Sequence, residues 1–514
     1  MLTSSLARLK CSEHEMRLRG LPSLHRFHSS ATTRKTPDVF ANSLRKTLEA
    51  HRAANRAGLI RKVYPKEDPP GLWRPEIPPQ SRAGYQPPVD PALPTSEDHK
   101  SPEPASGSKK RQSKRKSGDD IFDDEDHLYH AHLRWKDAIQ LAGKDTAQTP
   151  WLRDLELPRA SPEVILDTEL RALATYLTPT AEERSQIQTL GARAVAALDR
   201  DVVPHAPIVI GSHRTGLALA HSDLDFILPF EDLPRSPARD RRPSPTRPQI
   251  QHRHMKLLRK VERALQKHGE EAYDVFLIDR LHTTLSAIQL PTTLLMQFHC
   301  GEGIPAITEY LQDYHAEYPS LLPLYAATRT LLEAHELFGE VRESLSPDAL
   351  NMMIVAFLKM NHGRFRAPNS LGDQLLAFLK LYGTEIDLKV VGVAVDPPGF
   401  FGADKAIHIG EQETAQQRGQ RSLLSARRTA AARGNTPVSN RLCIQDPTHY
   451  MNDLGRSCTR VSEVQSTFAT AYERLRRACD EQADNPKTNS SILVSALRAN
   501  FKNFESVRRR LFWW

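Results

Sequence analysis

The sequence predicts an α+β chain: a mixed β-sheet with flanking helices, then a helical domain, with long disordered segments. Three observations predict it. Between Pro207 and Phe230 two apolar runs, PIVI and FILPF, flank a Gly-Ser turn and an Asp-Leu-Asp triplet, and both runs read as buried strands. Beyond Ile304 apolar residues recur at helical spacing. From about Pro65 to Asp126 the chain is rich in Pro, Ser and charge, a composition that buries too little apolar surface to fold.

At 514 residues the chain exceeds a single core, so two folded units plus tails are expected. Lys+Arg 70 against Asp+Glu 62 gives a formal net charge of +8. That mild excess suits a polyanionic partner but is also common in mitochondrial proteins, so alone it selects neither. Five cysteines (Cys11, Cys300, Cys443, Cys458, Cys479) show no C-x-x-C spacing, which argues against a zinc site or a disulfide framework. No apolar run approaches the length of a membrane span.

The elements follow in order. Met1 to Lys35 carries scattered Arg and Lys with few acids, and RFHSSA (Arg26 to Ala31) has the make-up of a cleavage region. Residues 1–36 are therefore expected to be a mitochondrial presequence, which implies a mitochondrial location. Residues 37–150 read as a largely disordered linker with some helix, its basic block (Lys109 to Lys116) partly neutralised by the acidic run after it (Asp119 to Asp126). Folding is expected to begin near Trp151. Thr180 to Glu183 has the form of a capping box, ahead of a helix with Ile187, Leu190, Ala194 and Leu198 on one face.

The two strands around the Asp-Leu-Asp triplet come next, then an insertion over 231–251 with Pro and Arg interleaved. A helix carrying Met255, Leu258, Val261 and Leu265 leads to two further strands, around Val275 to Ile278 and Leu294 to Phe298. Residues 151–304 form the first domain. Residues 305–409 and 440–480 form the helical one, interrupted by a Gln-, Arg- and Ala-rich loop at 410–439 that reads as disordered. Residues 481–514 are expected to be a basic C-terminal helix closing in LFWW.

The chemistry concentrates in GSHRTGLALAHSDLDF, Gly211 to Phe226. Strand side chains alternate faces, so Asp223 and Asp225 point one way while Leu224 points into the core. Two carboxylates on one face repel each other unless a cation lies between them, the layout of a two-metal phosphoryl-transfer site. The Gly211-Ser212 turn offers backbone N–H groups and a hydroxyl for a nucleotide's phosphates. Asp-x-Asp alone is a weak signal, more often a solvated strand edge; strand, Gly-Ser, Asp-x-Asp and strand together are a strong one.

Three blocks in order resemble the terminal nucleotidyltransferases of the DNA polymerase β superfamily, within them the mitochondrial-type poly(A) RNA polymerases. They are the Gly211–Asp225 motif, the helical block with PLYAATR, MMIVAFLK and LLAFLKLYG, and LCIQDPTHYMNDLGR (Leu442 to Arg456). The resemblance implies a nucleotidyltransferase palm followed by a helical poly(A)-polymerase-associated domain. It implies that Gly211, Ser212, Arg329, Asp446 and Asn452 bind the nucleotide, and that Asp223 and Asp225 hold Mg²⁺ or Mn²⁺. It implies transfer of NMP from an NTP, with ATP the first choice, to an RNA 3′ end during RNA processing.

The chain departs from that pattern in three places, the metal site, the triphosphate and the base. The third catalytic carboxylate is replaced by Gln297, with His299 on the same face and Asp274 and Asp279 as other candidates. Arg329 stands where the family has a Lys, a second Lys one turn later is replaced by Glu333, and a Ser-Tyr pair is replaced by Pro347 and Asp348, so the aromatic face is missing. Two readings therefore stand: an active transferase, or a catalytically decayed one that binds RNA or nucleotide as a scaffold in mitochondrial RNA metabolism. The sequence names neither the RNA nor the oligomeric state.

Overall fold

The computed structural model describes residues 149–153, 155–198, 202–230, 247–267, 273–279, 283–339, 343–365, 370–402, 413–485 and 491–512. The expected presequence and most of the expected 37–150 linker lie outside them, as do 231–246 of the insertion. The described residues start with a short 3-10 turn, Pro150–Leu152, in which Trp151 is buried.

Two helices precede the sheet: α1 (Pro162–Leu177) and α2 (Ala181–Ala196). The capping box closes on α2, with Thr180 Oγ1 accepting from Glu183 N at 3.2 Å and Glu183 Oε2 accepting from Thr180 N at 2.7 Å. Then come β1 (Ile208–Ile210), a short helix α3 (Gly211–Thr215), β2 (Leu224–Pro229), a long helix α4 (Arg247–Lys267), β3 (Tyr273–Asp279), β4 (Thr283–Gln289) and β5 (Leu294–Gly301). These strands form one sheet in the order β1-β2-β5-β4-β3, with β2 and β5 parallel and the other pairs antiparallel.

One face of this sheet is covered. Ile187, Leu190 and Ala194 from α2 and Leu258, Val261 and Leu265 from α4 pack against Leu224, Phe226, Leu228, Met296 and Phe298. The rings of Phe226 and Phe298 stack across β2 and β5 with centroids 5.1 Å apart. Residues 247–251, assigned to the insertion from their Pro and Arg content, are the first turn and more of α4. Their Pro is at the start of the helix, where its missing N–H costs nothing.

The helical domain holds α5 (Ala306–Glu317), α6 (Leu321–Ala334), α7 (Pro347–Met360), α8 (Leu371–Lys380), which runs on into a π turn (Leu381–Glu385), and α11 (Val461–Asp484). α7 is buried almost all round, so it is the central helix rather than a half-exposed one. Phe378 joins three helices by edge-on contacts, to Phe357 and to Phe468 at 5.6 Å each. The domain also contains a hairpin, β6 (Gly392–Val395) and β7 (Pro398–Phe401), that helical spacing did not predict.

Two expectations are corrected here. The described part of the 410–439 loop is ordered as α9 (Ala415–Ala432) and α10 (Thr436–Ser439). Ala, Arg and Gln are strong helix formers, and Thr414 with Gln417 caps the start. Leu423 and Leu424 bury against Ala394, Phe401 and Cys443. Arg427 is buried too and donates to Ser439 O at 3.0 Å. Gly419 lets α9 press on the following loop, since a Cβ there would collide with Tyr450 O. Its composition looked unstructured because only a narrow stripe is apolar.

The C-terminal segment is likewise not one helix. Residues 481–484 finish α11, and α12 (Val494–Leu497) and α13 (Lys502–Arg510) follow. α13 returns to the first domain. Arg508 makes a two-pronged contact with Glu183, at 2.5 and 2.7 Å, and donates to Tyr176 O at 2.6 Å. Leu511 enters the sheet core. Among the described residues Cys300, Cys443, Cys458 and Cys479 are free thiols, and no helix is long and apolar enough to cross a membrane.

Glu169 of α1 anchors this return. It is fully buried and accepts from Leu493 N at 2.8 Å. Burial pushes its carboxyl up from 4.5 to about 7, against the hydrogen bonds from Ser491, Leu493 and Ile492. A folded-state value above the unfolded one contributes stability that is complete below 4.5 and lost as pH rises through about 7. Glu169→Gln keeps an acceptor without the charge. Urea unfolding across that window should show a loss on the order of 3 kcal/mol in the parent from this group. The variant should lack that loss; identical pH slopes for both would contradict the assignment.

Candidate active site

Because Leu224, Phe226 and Leu228 face the covered side of the sheet, Asp225 and Ile227 face the other. There they border a cavity of about 780 Å³ that Asp223 also lines. The parallel pairing sets Asp225 opposite Gln297. Gln297 is buried, and its Nε2 donates to Asp223 Oδ2 at 3.2 Å. On the neighbouring strand, then, an amide faces the aspartates. His299, two residues on, brings Nε2 to 3.8 Å from Asp225 Oδ1, with Nδ1 3.3 Å from Thr284 Oγ1. Asp274 and Asp279 are not neighbours of this site, because β3 is the far edge of the sheet, two strands beyond β5.

Gly211 opens α3 at φ +64, a left-handed conformation. A Cβ at that position would also collide with Asp225 Oδ2. Glycine is thus required twice, for backbone conformation and for close approach to the carboxylate. Ser212 lines the cavity, and its carbonyl closes the turn by accepting from Thr215 Oγ1 and Leu217 N, each at 3.1 Å.

Arg329 of α6 also reaches the cavity, but it is already engaged. Nε donates to Glu333 Oε1 at 2.7 Å, and Nη1 donates to Ser222 Oγ at 2.8 Å. Phe338 and Tyr325 flank the guanidinium, 5.2 and 5.9 Å from its carbon. His221 Nε2 lies 3.0 Å from the same Glu333 carboxylate. Burial works to raise the Glu333 carboxyl, but Arg329 and His221 outweigh it and hold the group below its ordinary range. The two departures at 329 and 333 therefore pair with each other, one turn apart on α6.

The cavity wall carries five carboxylates, Asp223, Asp225, Glu333, Glu336 and Asp348, against one guanidinium, Arg329. Asp348 is the residue whose charge the sequence reading missed. Ser346 caps α7 by accepting from Ala349 N, Pro347 fills the first helical position, and Asp348 follows in the first turn. That explains the residue types locally. Across the cavity, burial, then Asp225 and then Asp446 push the Asp348 carboxyl up to about 6.

Asp446 and Asn452, expected to contact the nucleotide, are not among the residues lining the cavity. Asp446 is buried and closes its own loop: Oδ1 accepts from Thr448 N and Oγ1 at 2.7 Å, and Oδ2 accepts from Asn452 Nδ2 at 2.9 Å. Its charge is still felt at Asp348.

The donor set fits a hard divalent cation. Asp223 and Asp225 supply carboxylate oxygens on one face, Gln297 supplies an amide, and the wall has an excess of negative charge. The fit stops short of a three-carboxylate site: among the described residues no group of three His, Cys, Asp or Glu side chains is arranged around one point.

No family model matches this chain. It is 25% identical over 338 residues to the poly(A) RNA polymerase cid14 of Schizosaccharomyces pombe, a span of 64% of this chain and 43% of that protein. It is 24% identical over 367 residues to the inactive non-canonical poly(A) RNA polymerase protein Trf4-2 of Drosophila melanogaster, covering 68% of this chain and 77% of that one. The chain thus spans less than half of the first relative and about three quarters of the second. Among solved structures, the polymerase core of TRAMP, an RNA surveillance complex, matches with a TM-score of 0.52 at 16% identity, over 68% of this chain and 98% of that one. The fold is the polymerase-core nucleotidyltransferase fold that the sequence predicts.

Gly211→Ala tests the site geometry directly. The left-handed backbone costs an L residue about 1–2 kcal/mol, and the methyl group displaces the Asp225 carboxylate. The variant should keep its far-ultraviolet circular dichroism and lose metal-dependent nucleotide binding by at least about tenfold. Parent-like binding would show that Asp225 is not held by this approach.

Proposed function

We propose that this chain is an RNA 3′-terminal nucleotidyltransferase of the poly(A)-polymerase type, acting in RNA processing with Mg²⁺ or Mn²⁺. The observation that carries the reading is that Asp225 on the open face of β2 and Asp223 just before the strand line one cavity with Gly211 and Ser212, in a wall with five carboxylates and one guanidinium. The similarity to poly(A) RNA polymerases supports the choice of reaction.

In this reading the RNA 3′-oxygen attacks the α-phosphorus of the NTP, the bond to the bridging oxygen breaks, and pyrophosphate leaves with the electron pair. Bound divalent ions would supply charge stabilisation at the phosphates and acidify the attacking hydroxyl. The chain's own residues do the rest. Asp223 and Asp225 hold the cation, Gln297 fixes the Asp223 carboxylate through its amide hydrogen bond, and Ser212 presents a hydroxyl at the cavity wall. His299, at the edge of the same face, is the group placed to take the proton from the 3′-hydroxyl. ATP is the nucleotide of first choice. A mitochondrial-type enzyme and a mitochondrial location belong to the reading through the Arg-rich, acid-poor segment up to Lys35.

A second reading, a decayed transferase that binds RNA as a scaffold, draws on two observations. Arg329 is neutralised by Glu333, which leaves the triphosphate without an unpaired cation from α6. The Drosophila relative is named as inactive.

Single-turnover addition to a labelled RNA, with each NTP offered separately, distinguishes them. The parent should add a nucleotide, and Asp223→Ala and Asp225→Ala should each abolish addition. Gln297→Asp should raise the rate, since general-base help is worth about a hundredfold to ten-thousandfold. RNA binding without addition by the parent or by Gln297→Asp would favour the scaffold. Expression with a C-terminal tag should place the chain in mitochondria and shorten it; a nuclear signal would remove that part of the reading.

A further inference from the structure

A second cleft, which shares no lining residue with the aspartate cavity, lies on α9. It has a volume of about 970 Å³ and is lined by Arg418, Arg421, Arg428, Arg433 and Arg441, with Ser and Thr hydroxyls between them. Arg418, Arg421, Ser425 and Arg428 recur at three- and four-residue intervals, so they share one side of the helix. The stripe from Arg418 to Arg433 spans about 22 Å.

Its charge is poorly balanced. Glu413 serves two of the guanidiniums, Arg421 at 2.7 Å and Arg418 at 3.9 Å. Asp453 lies 3.6 Å from Arg441. Among the described residues Arg428 and Arg433 have no carboxylate partner, and both are exposed. Five guanidiniums against two carboxylates leave a net charge of 5 − 2 = +3 on one cleft.

The lining also says what kind of partner fits. It contains no aromatic ring, so it offers neither the stacking platform that reads bases nor the aromatic anchor typical of a protein interface. What it offers is guanidinium forks and hydroxyls, the groups that contact phosphate oxygens without regard to sequence. The loop that borders the cleft through Arg441 and Met451 also carries Asp446, whose charge reaches Asp348 in the active-site wall.

We infer that the α9 cleft binds the sugar–phosphate backbone of the RNA upstream of its 3′ end, independently of sequence. This rests on the reading of RNA as the substrate. It gives the 410–439 segment, expected to be a disordered loop, a role in holding the substrate outside the reaction cavity.

The experiment uses the full chain, a labelled single-stranded RNA of about 20 nucleotides and anisotropy titrations over a range of salt. Arg428→Ser with Arg433→Ser removes two unpaired, exposed guanidiniums and strands no carboxylate. The double variant should bind RNA roughly tenfold more weakly, and its salt dependence should fall by about 1.4 log units per log unit of salt, or about 0.7 per lost phosphate contact. Arg259→Ser with Arg263→Ser takes the same charge from the exposed side of α4 and should leave the slope at the parent's value. Parent-like binding by the α9 variant, or equal losses in both variants, would overturn the inference while leaving RNA as the substrate. Loss of polyglutamate binding with RNA binding intact would assign the cleft to an acidic protein and overturn it also. No RNA binding by the parent would instead remove the functional reading on which it rests.

Discussion

The structure turns on the repulsion between Asp223 and Asp225 and on what surrounds them. The sheet has one covered face, and the two-residue period of β2 commits Asp225 to the open one, while Asp223, just ahead of the strand, lines the same cavity. Gly211 then brings α3 against Asp225 so closely that no side chain fits between them. Asp348, at the start of α7, adds a further carboxylate whose proton affinity rises because burial, Asp225 and Asp446 all disfavour its charge. Arg329 is the guanidinium in this wall, and Glu333 occupies it. A wall of this kind gathers more like charge than a fold gains from, which is the physical case for a cation there.

The same cavity ties the sheet to the helices that follow it. His221 and Ser222 belong to the aspartate motif, while Arg329 and Glu333 belong to α6 of the helical domain. A buried charge network of this sort adds little net stability, but it fixes geometry, because a missing partner would leave a buried charge alone. α13 adds a second tie through Arg508 and Glu183, on the residue that also caps α2. The chain's C-terminal segment therefore helps set the position of the sheet's covering helix, far in sequence from the motif it supports.

Much of this was legible in the sequence. The capping box at Thr180 and the strands around the aspartates follow from spacing, because local hydrogen bonds and side-chain alternation decide them, whereas the place of Gln297 follows from the family resemblance. β4 did not show itself: Thr283–Gln289 mixes Thr, Ser and Ala with few large apolar residues, and it is a strand because β3 and β5 flank it. α9 was hidden by its composition, since Leu423 and Leu424 make a very narrow apolar stripe. The role of Asp348 depends on α7 aiming its first turn at a strand more than a hundred residues earlier, which no local pattern records. Arg329 and Glu333 stand one helical turn apart in the sequence, yet weighing each only against a phosphate conceals that they satisfy each other.

The proposed function requires a divalent cation between Asp223 and Asp225 at the open face of the sheet. Titrating the full chain with Mn²⁺ alone, followed by electron paramagnetic resonance of the free ion and by thermal melting, tests it without reference to turnover. The parent should bind Mn²⁺ and melt at a higher temperature as the ion is added, and Asp225→Asn should lose both responses while remaining folded. Equal Mn²⁺ binding by parent and variant, or no binding and no stabilisation in the parent, would contradict the account.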